Sequence, residues 1–182
     1  MLLGGVLAVM WVIEIADSLV FDDRLEGGGI HPRRLDGLDG ILWAPFLHAG
    51  VTHLLSNTLP FAVLGLLVMG HGRRSWWQVS GIVVGLGGAL VWLLAGGGNH
   101  IGASGLIFGY LGFLVAAAFL GRSAKAFGLA LVAVVLYGGL VWGFLPRRGV
   151  SWEGHLFGAV AGVAAAFLLL GRRPRADGGG DG

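Results

Sequence analysis

The chain has 182 residues, of which 55% are hydrophobic and only 12% charged, with a mean hydropathy of +0.81. Soluble domains carry about 25% charged residues, so this composition excludes an ordinary water-facing surface and fits lipid as the solvent. The pI of about 9.7 accompanies a net charge of only +2, with basic residues paired between apolar runs. That pattern fits topology-setting flanks and not a nucleic-acid footprint, and the absence of cysteine excludes disulfides and thiolate chemistry.

A bilayer core of about 30 Å needs about 20 apolar residues per helix. Six runs meet that length, at 2–20, 52–70, 76–96, 102–120, 125–145 and 153–171. The first lacks a basic leader and contains Glu14 and Asp17, so it reads as a retained helix and not a signal peptide. The stretch 21–51 holds Gly27-Gly28-Gly29, Pro32 and the apolar segment Ile41–Phe46. It is too apolar for a solvated linker and too short for a domain, which predicts an interfacial or re-entrant segment. The other connections are short. The expected organisation is an all-α membrane domain over 1–171 and a disordered cytoplasmic tail over 172–182.

Lys and Arg set the expected orientation. Seven (Arg73, Arg74, Arg122, Lys125, Arg172, Arg173, Arg175) fall on the side of the termini and five (Arg24, Arg33, Arg34, Arg147, Arg148) on the other. The excess predicts cytoplasmic termini.

The 36 glycines recur at helical spacing, as in Gly81 and Gly85, Gly105 and Gly109, Gly158 and Gly162. Small residues four apart let helix backbones approach closely. Ordinary membrane packing accounts for most of them; beside Ser104 and His155 the same closeness would also bring side chains together.

Strongly polar residues in apolar helices are costly and mark functional candidates. Here they are His48, His53, Asn57, Asn99, His100, Ser104 and His155. His53 and Asn57 open the second run, Ser104 the fourth and His155 the sixth. Alternate helices run in the same direction, so all three starts lie on one side of the membrane.

Each signal has an ordinary reading: a packing serine, an interfacial histidine, an interhelical hydrogen-bonding pair. Each also has a chemical one. A serine between glycines at a helix start lies beside unpaired N–H groups able to bind an oxyanion. Histidine is the usual general base for such a nucleophile. His53 and Asn57 are four apart on one face, and both can donate. Nucleophile, base and oxyanion donors together form a serine-hydrolase set, with Glu153 the one acid at these helix starts.

The segment His48-Ala49-Gly50-Val51-Thr52-His53-Leu54-Leu55-Ser56-Asn57, the tetrapeptide Gly102-Ala103-Ser104-Gly105 and the segment Gly154-His155-Leu156-Phe157-Gly158 with Gly162 resemble, in order and spacing, the motifs of the rhomboid intramembrane serine proteases. The resemblance covers nearly the whole chain in the minimal six-helix form. It implies a rhomboid-like bundle with Ser104 as nucleophile and His155 as base. It implies oxyanion donors in the Ser104 backbone N–H, His53 and Asn57, with His48, Gly102 and Phe108 in support. It further implies cleavage of transmembrane segments of other proteins within the bilayer, no metal or organic cofactor, no nucleic-acid partner, and a bacterial-type plasma membrane. Two departures stand out. Phe108 replaces a frequent tyrosine, keeping the ring and losing the hydroxyl, and Trp43 is followed by Ala44 where a Trp-Arg pair is common in the first loop. Three alternatives stay open: an inactive rhomboid-like client binder, a small transporter or channel whose buried histidines relay protons, kept open by the intramembrane Glu14 and Asp17, and a metalloenzyme using His48, His53, His100 and His155, although no helical HExxH is present.

Overall fold

A chain in lipid must satisfy its backbone polar groups internally, and each long apolar run accordingly folds as a helix. The computed structural model describes residues 2–147 and 149–171. The expected tail at 172–182, with Arg172, Arg173 and Arg175, and also Arg148, lie outside the described residues. The helices are α1 (Leu2–Phe21), α2 (Val51–Met69), α3 (Arg73–Leu94), α4 (Ser104–Leu120), α5 (Ala124–Phe144) and α6 (Trp152–Leu170). All except α4 have 19 to 22 residues and are long and apolar enough to cross a membrane, whereas α4 has 17. The chain is an all-helical, multi-pass membrane protein, and among the described residues no strand forms.

Three boundaries differ from the sequence expectation by two residues or more, the first being the start of α3, at Arg73 and not 76. Helix α3 ends at Leu94, before the glycine triplet Gly96–Gly98. Helix α4 starts at Ser104 because Gly102 has φ +107°, which no right-handed helix accommodates. Residues 95–103 are therefore loop, and Ser104 is the first helical residue.

Helix α4 is the hub of the bundle. Tyr110, Phe113, Leu114 and Ala117 are fully buried, packed with Phe61 and Leu64 of α2, Trp76 and Val79 of α3 and Ala161 and Ala165 of α6. Its contact with α6 is backbone on backbone. A Cβ on Gly158 would overlap the Gly105 carbonyl, and one on Gly162 would overlap the Gly109 carbonyl. One on Gly112 would lie 2.5 Å from the Ala159 oxygen. Gly81 and Gly85 share the same spacing, yet nothing lies within 4 Å of where their side chains would be. Spacing alone does not mark a contact.

The first loop forms one-turn helices at Leu25–Gly28, Leu35–Gly37, Gly40–Trp43 and Ala44–Phe46. It buries Ile30, Ala44 and Leu47 and turns Leu35, Leu38, Leu42 and Trp43 outward, as a segment lying against lipid would. Arg33 anchors it. Its guanidinium donates to the Ala95 carbonyl at 2.7 Å and the Leu93 carbonyl at 3.4 Å. A cation here also complements the C-terminal end of α3. Trp92 Nε1–H donates to the Arg34 carbonyl at 2.8 Å, so the loop is fixed although Trp43 is followed by Ala44.

Gly158→Ala and Gly162→Ala are expected to destabilise the protein by about 1–3 kcal/mol each through overpacking, lowering the detergent melting temperature by several degrees. Gly128→Ala on α5 meets open space and should leave it unchanged or slightly raised. Indistinguishable melting curves for the three variants would contradict the backbone contact.

Candidate active site

The α4–α6 contact brings two distant first turns together. Ser104 Oγ lies 2.9 Å from His155 Nε2. His155 Nδ1 lies 2.7 Å from the carbonyl oxygen of Gly143, in the tightened 3₁₀ end of α5. A carbonyl only accepts, which assigns the ring proton to Nδ1. The lone pair of Nε2 is then left to accept from the Ser104 hydroxyl. Phe108, one turn beyond Ser104, stacks on the imidazole with centroids 4.2 Å apart and planes 6° from parallel. Phe144 braces that ring edge-on at 4.9 Å. A side chain at position 143 would meet Phe108 Cζ at 2.5 Å and His155 Nδ1 at 3.0 Å, so glycine is required there.

The first turns of α2 supply the opposite wall. The Ala49 N–H donates to His53 Nδ1 at 3.2 Å, which leaves the proton on Nε2. That nitrogen points at Gly102, where a Cβ would lie 2.9 Å from it and 3.7 Å from Asn57 Nδ2. Gly102 thus lets His53 reach the approach to Ser104, with Asn57 Nδ2 beside it. Asn57 is buried, and among the described residues its Nδ2 has no hydrogen-bond partner. Ser104, as the first residue of α4, has an N–H with no intrahelical acceptor. These groups line one cavity of about 1080 Å³ that also takes in Ser56, Pro60 and Trp142.

His48 stands behind this surface, 1% exposed. Its Nε2 accepts from the Ala103 N–H at 3.2 Å, and its ring packs edge-on against His53 at 5.1 Å. It thus holds the loop before the serine. Asn99 Nδ2 donates to the Glu26 carbonyl at 2.6 Å. His100 bonds to Ser151 Oγ at 2.6 Å. Glu153 accepts from the Gly96 N–H at 3.0 Å. Asp17 accepts from the Leu25 and Glu26 N–H groups at 2.9 and 3.2 Å, which closes the turn leaving α1. Glu14 is buried but does not line the cavity. Among the described residues no three histidines or acids are grouped to hold a metal. Sequence reasoning did not find the Gly143 carbonyl, since a backbone acceptor leaves no residue-type signal, and it gave Ser151 no part.

Comparisons with known proteins bear on the family to which the chain belongs. A family model described as Rhomboid domain matches residues 38–172. An uncharacterized protein of Mycobacterium tuberculosis is 42% identical over 172 residues, covering 89% of this chain and 71% of its own length. An uncharacterized protein of Mycobacterium leprae is 39% identical over 184 residues, covering 92% and 72%. RHOMBOID-like protein 4 of Arabidopsis thaliana is 29% identical over 134 residues, covering 71% of this chain and 34% of its own.

Burial, with His53 alongside, pushes His48 down from 6.5 to about 4. The folded state therefore prefers neutral His48. Its contribution is complete above the unfolded value near 6.5 and is lost as pH falls from there toward 4. The loss is on the order of 3 kcal/mol by the shift alone. His48→Gln keeps an acceptor for the Ala103 N–H and does not titrate, so its unfolding free energy in mixed micelles should fall less over that window. Equal pH slopes for the two proteins would contradict the assignment.

Proposed function

The chain belongs to the rhomboid family, and from that premise we propose that it is an intramembrane serine endopeptidase that cleaves transmembrane segments of other membrane proteins through Ser104 and His155. The observation that carries this reading is the 2.9 Å contact between Ser104 Oγ and an imidazole whose other nitrogen is committed to the Gly143 carbonyl. That arrangement offers a base in the tautomer the chemistry needs.

Ser104 Oγ attacks the scissile carbonyl carbon while its proton passes to His155 Nε2. The resulting imidazolium keeps its Nδ1–H on the Gly143 carbonyl and faces the Phe108 ring, whose quadrupole favours a cation. The tetrahedral oxyanion takes hydrogen bonds from the Ser104 N–H, His53 Nε2–H and Asn57 Nδ2–H. On collapse the C–N bond breaks and His155 returns its proton to the leaving amine. A water, deprotonated by His155, then attacks the acyl-enzyme ester. The new acid leaves as Ser104 regains its proton. No acidic third member takes part. The replacement of tyrosine by Phe108 preserves the stacked ring, so activity is retained in this reading.

The proposed setting is a bacterial-type plasma membrane with cytoplasmic termini. The starts of α2, α4 and α6, which carry the site, then open to the outside, where water reaches them. The natural lack of cysteine makes this simple to test. A single cysteine introduced at Gly97 should react with an impermeant maleimide on intact cells, and one at Arg74 only after permeabilisation. The reverse pattern would overturn the orientation and leave the chemistry standing.

Co-expression with a panel of single-span membrane proteins tests the activity. Ser104→Ala should abolish cleavage without loss of thermal stability, because alanine fits the same space. His53→Ala and Asn57→Ala should lower kcat by about 10²–10³ with KM little changed, the cost of one oxyanion donor. Cleavage by folded Ser104→Ala protein would sink the proposal. A raised KM with unchanged kcat would sink the oxyanion role of that donor.

A further inference from the structure

The loop Gly96–Ala103 has no regular secondary structure, yet it must deliver Ser104 to a base on another helix. The N-cap of α4, Ala103, offers no side-chain cap, so the first turn of α4 depends on what holds the loop. On one side the first long loop holds it through main-chain bonds. His100 and Ile30 exchange N–H to carbonyl bonds of 3.0 Å in each direction, and the Gly102 N–H donates to the Ala44 carbonyl at 2.8 Å. On the other side, toward α6, the attachment is made by side chains. His100 Nδ1 lies 2.6 Å from Ser151 Oγ. Ser151 is the N-cap of α6, where its Oγ also accepts from the Gly154 N–H at 3.2 Å.

The register is informative. His100 precedes Ser104 by four positions, and Ser151 precedes His155 by four. The bond therefore joins equivalent points ahead of the two reacting residues, just outside the place where their side chains meet. The glycine contact fixes how closely α4 and α6 approach. It is a smooth small-residue face, however, and does not by itself fix how one helix start sits against the other. His100 is 7% exposed and so is held within the protein. Burial favours its neutral ring, with Glu153 acting in the opposite sense.

We propose that His100 is a positioning residue for the reaction. Bonded to the N-cap Ser151, it sets the nucleophile loop against the base helix and so holds Ser104 Oγ at hydrogen-bond distance from His155 Nε2. This rests on the reading of Ser104 and His155 as the reacting pair. A misplacement of about 1 Å at a reacting atom costs on the order of 10²-fold in rate, so the bond acts on kcat and leaves substrate affinity alone.

The two amide side chains separate this role from bulk packing. The side-chain nitrogen or oxygen of asparagine occupies nearly the place of histidine Nδ1, whereas the glutamine amide reaches toward Nε2. The experiment measures kcat, KM, the pH profile and the melting temperature of the full chain in detergent with a cleaved transmembrane peptide. It covers wild type, His100→Ala, His100→Asn, His100→Gln and Ser104→Ala. His100→Ala and His100→Gln should lose about ten- to a hundred-fold in kcat with KM within about twofold. His100→Asn should recover to within a few-fold of wild type with an unchanged pH profile. Should His100→Ala fail to fold, the Asn and Gln pair carries the comparison. Equal kcat for Asn and Gln, or an altered pH profile in the Asn variant, would overturn the positioning role while Ser104→Ala stays inactive. Cleavage by Ser104→Ala would overturn the reading of the reacting pair and this inference with it.

Discussion

The structure depends on the backbone contact between α4 and α6. Lipid tails are as apolar as leucine, so helices in a membrane gain little from burying apolar side chains against each other. What remains is close packing, and the absence of side chains at Gly109, Gly112, Gly158 and Gly162 provides it. The same closeness lets a one-carbon serine side chain reach an imidazole on the neighbouring helix. Larger residues would separate the helices and the chemistry together. Packing and the proposed chemistry are the same constraint here.

A second constraint is the cost of charge in a membrane. A third acid behind His155 would orient the ring and favour its cation, but a carboxylate buried without a full set of partners is costly. The Gly143 carbonyl orients the ring through one neutral acceptor, 2.7 Å from Nδ1. In the proposed reaction it would stabilise the imidazolium less than a carboxylate would. Part of the difference is offset by the stacked Phe108 ring, since cation–π contacts contribute about 0.5–2 kcal/mol. Glu153, although only two residues from His155, accepts from the Gly96 N–H instead.

Much of this was legible in the sequence because lipid leaves few choices. Hydropathy located all six helices, and polar residues at the starts of the second, fourth and sixth runs pointed to one convergent site. Where sequence reasoning fell short, the missing information was not carried by residue type. Helix α4 begins two residues later than its apolar run because the φ of Gly102 breaks the helix. The Gly143 carbonyl is main chain, and any residue would present one; only the clash with Phe108 makes glycine necessary. Gly81 and Gly85 repeat the spacing of Gly158 and Gly162 without a neighbour, because periodicity gives a face and not what lies across it. His100 drew attention as a possible metal ligand, while its partner Ser151 resembled any helix cap. Arg33 takes over loop anchoring from a different sequence position, which local motif matching does not see.

The central claim is that Ser104 is made nucleophilic by the neutral His155 ring beside it. The most direct measurement is reaction of the folded protein with a fluorophosphonate, followed by mass mapping of the adduct. The account predicts a single phosphonyl group on Ser104, formed in wild type and lost in His155→Ala. Labelling elsewhere in the chain, or undiminished labelling of Ser104 in His155→Ala, would contradict it.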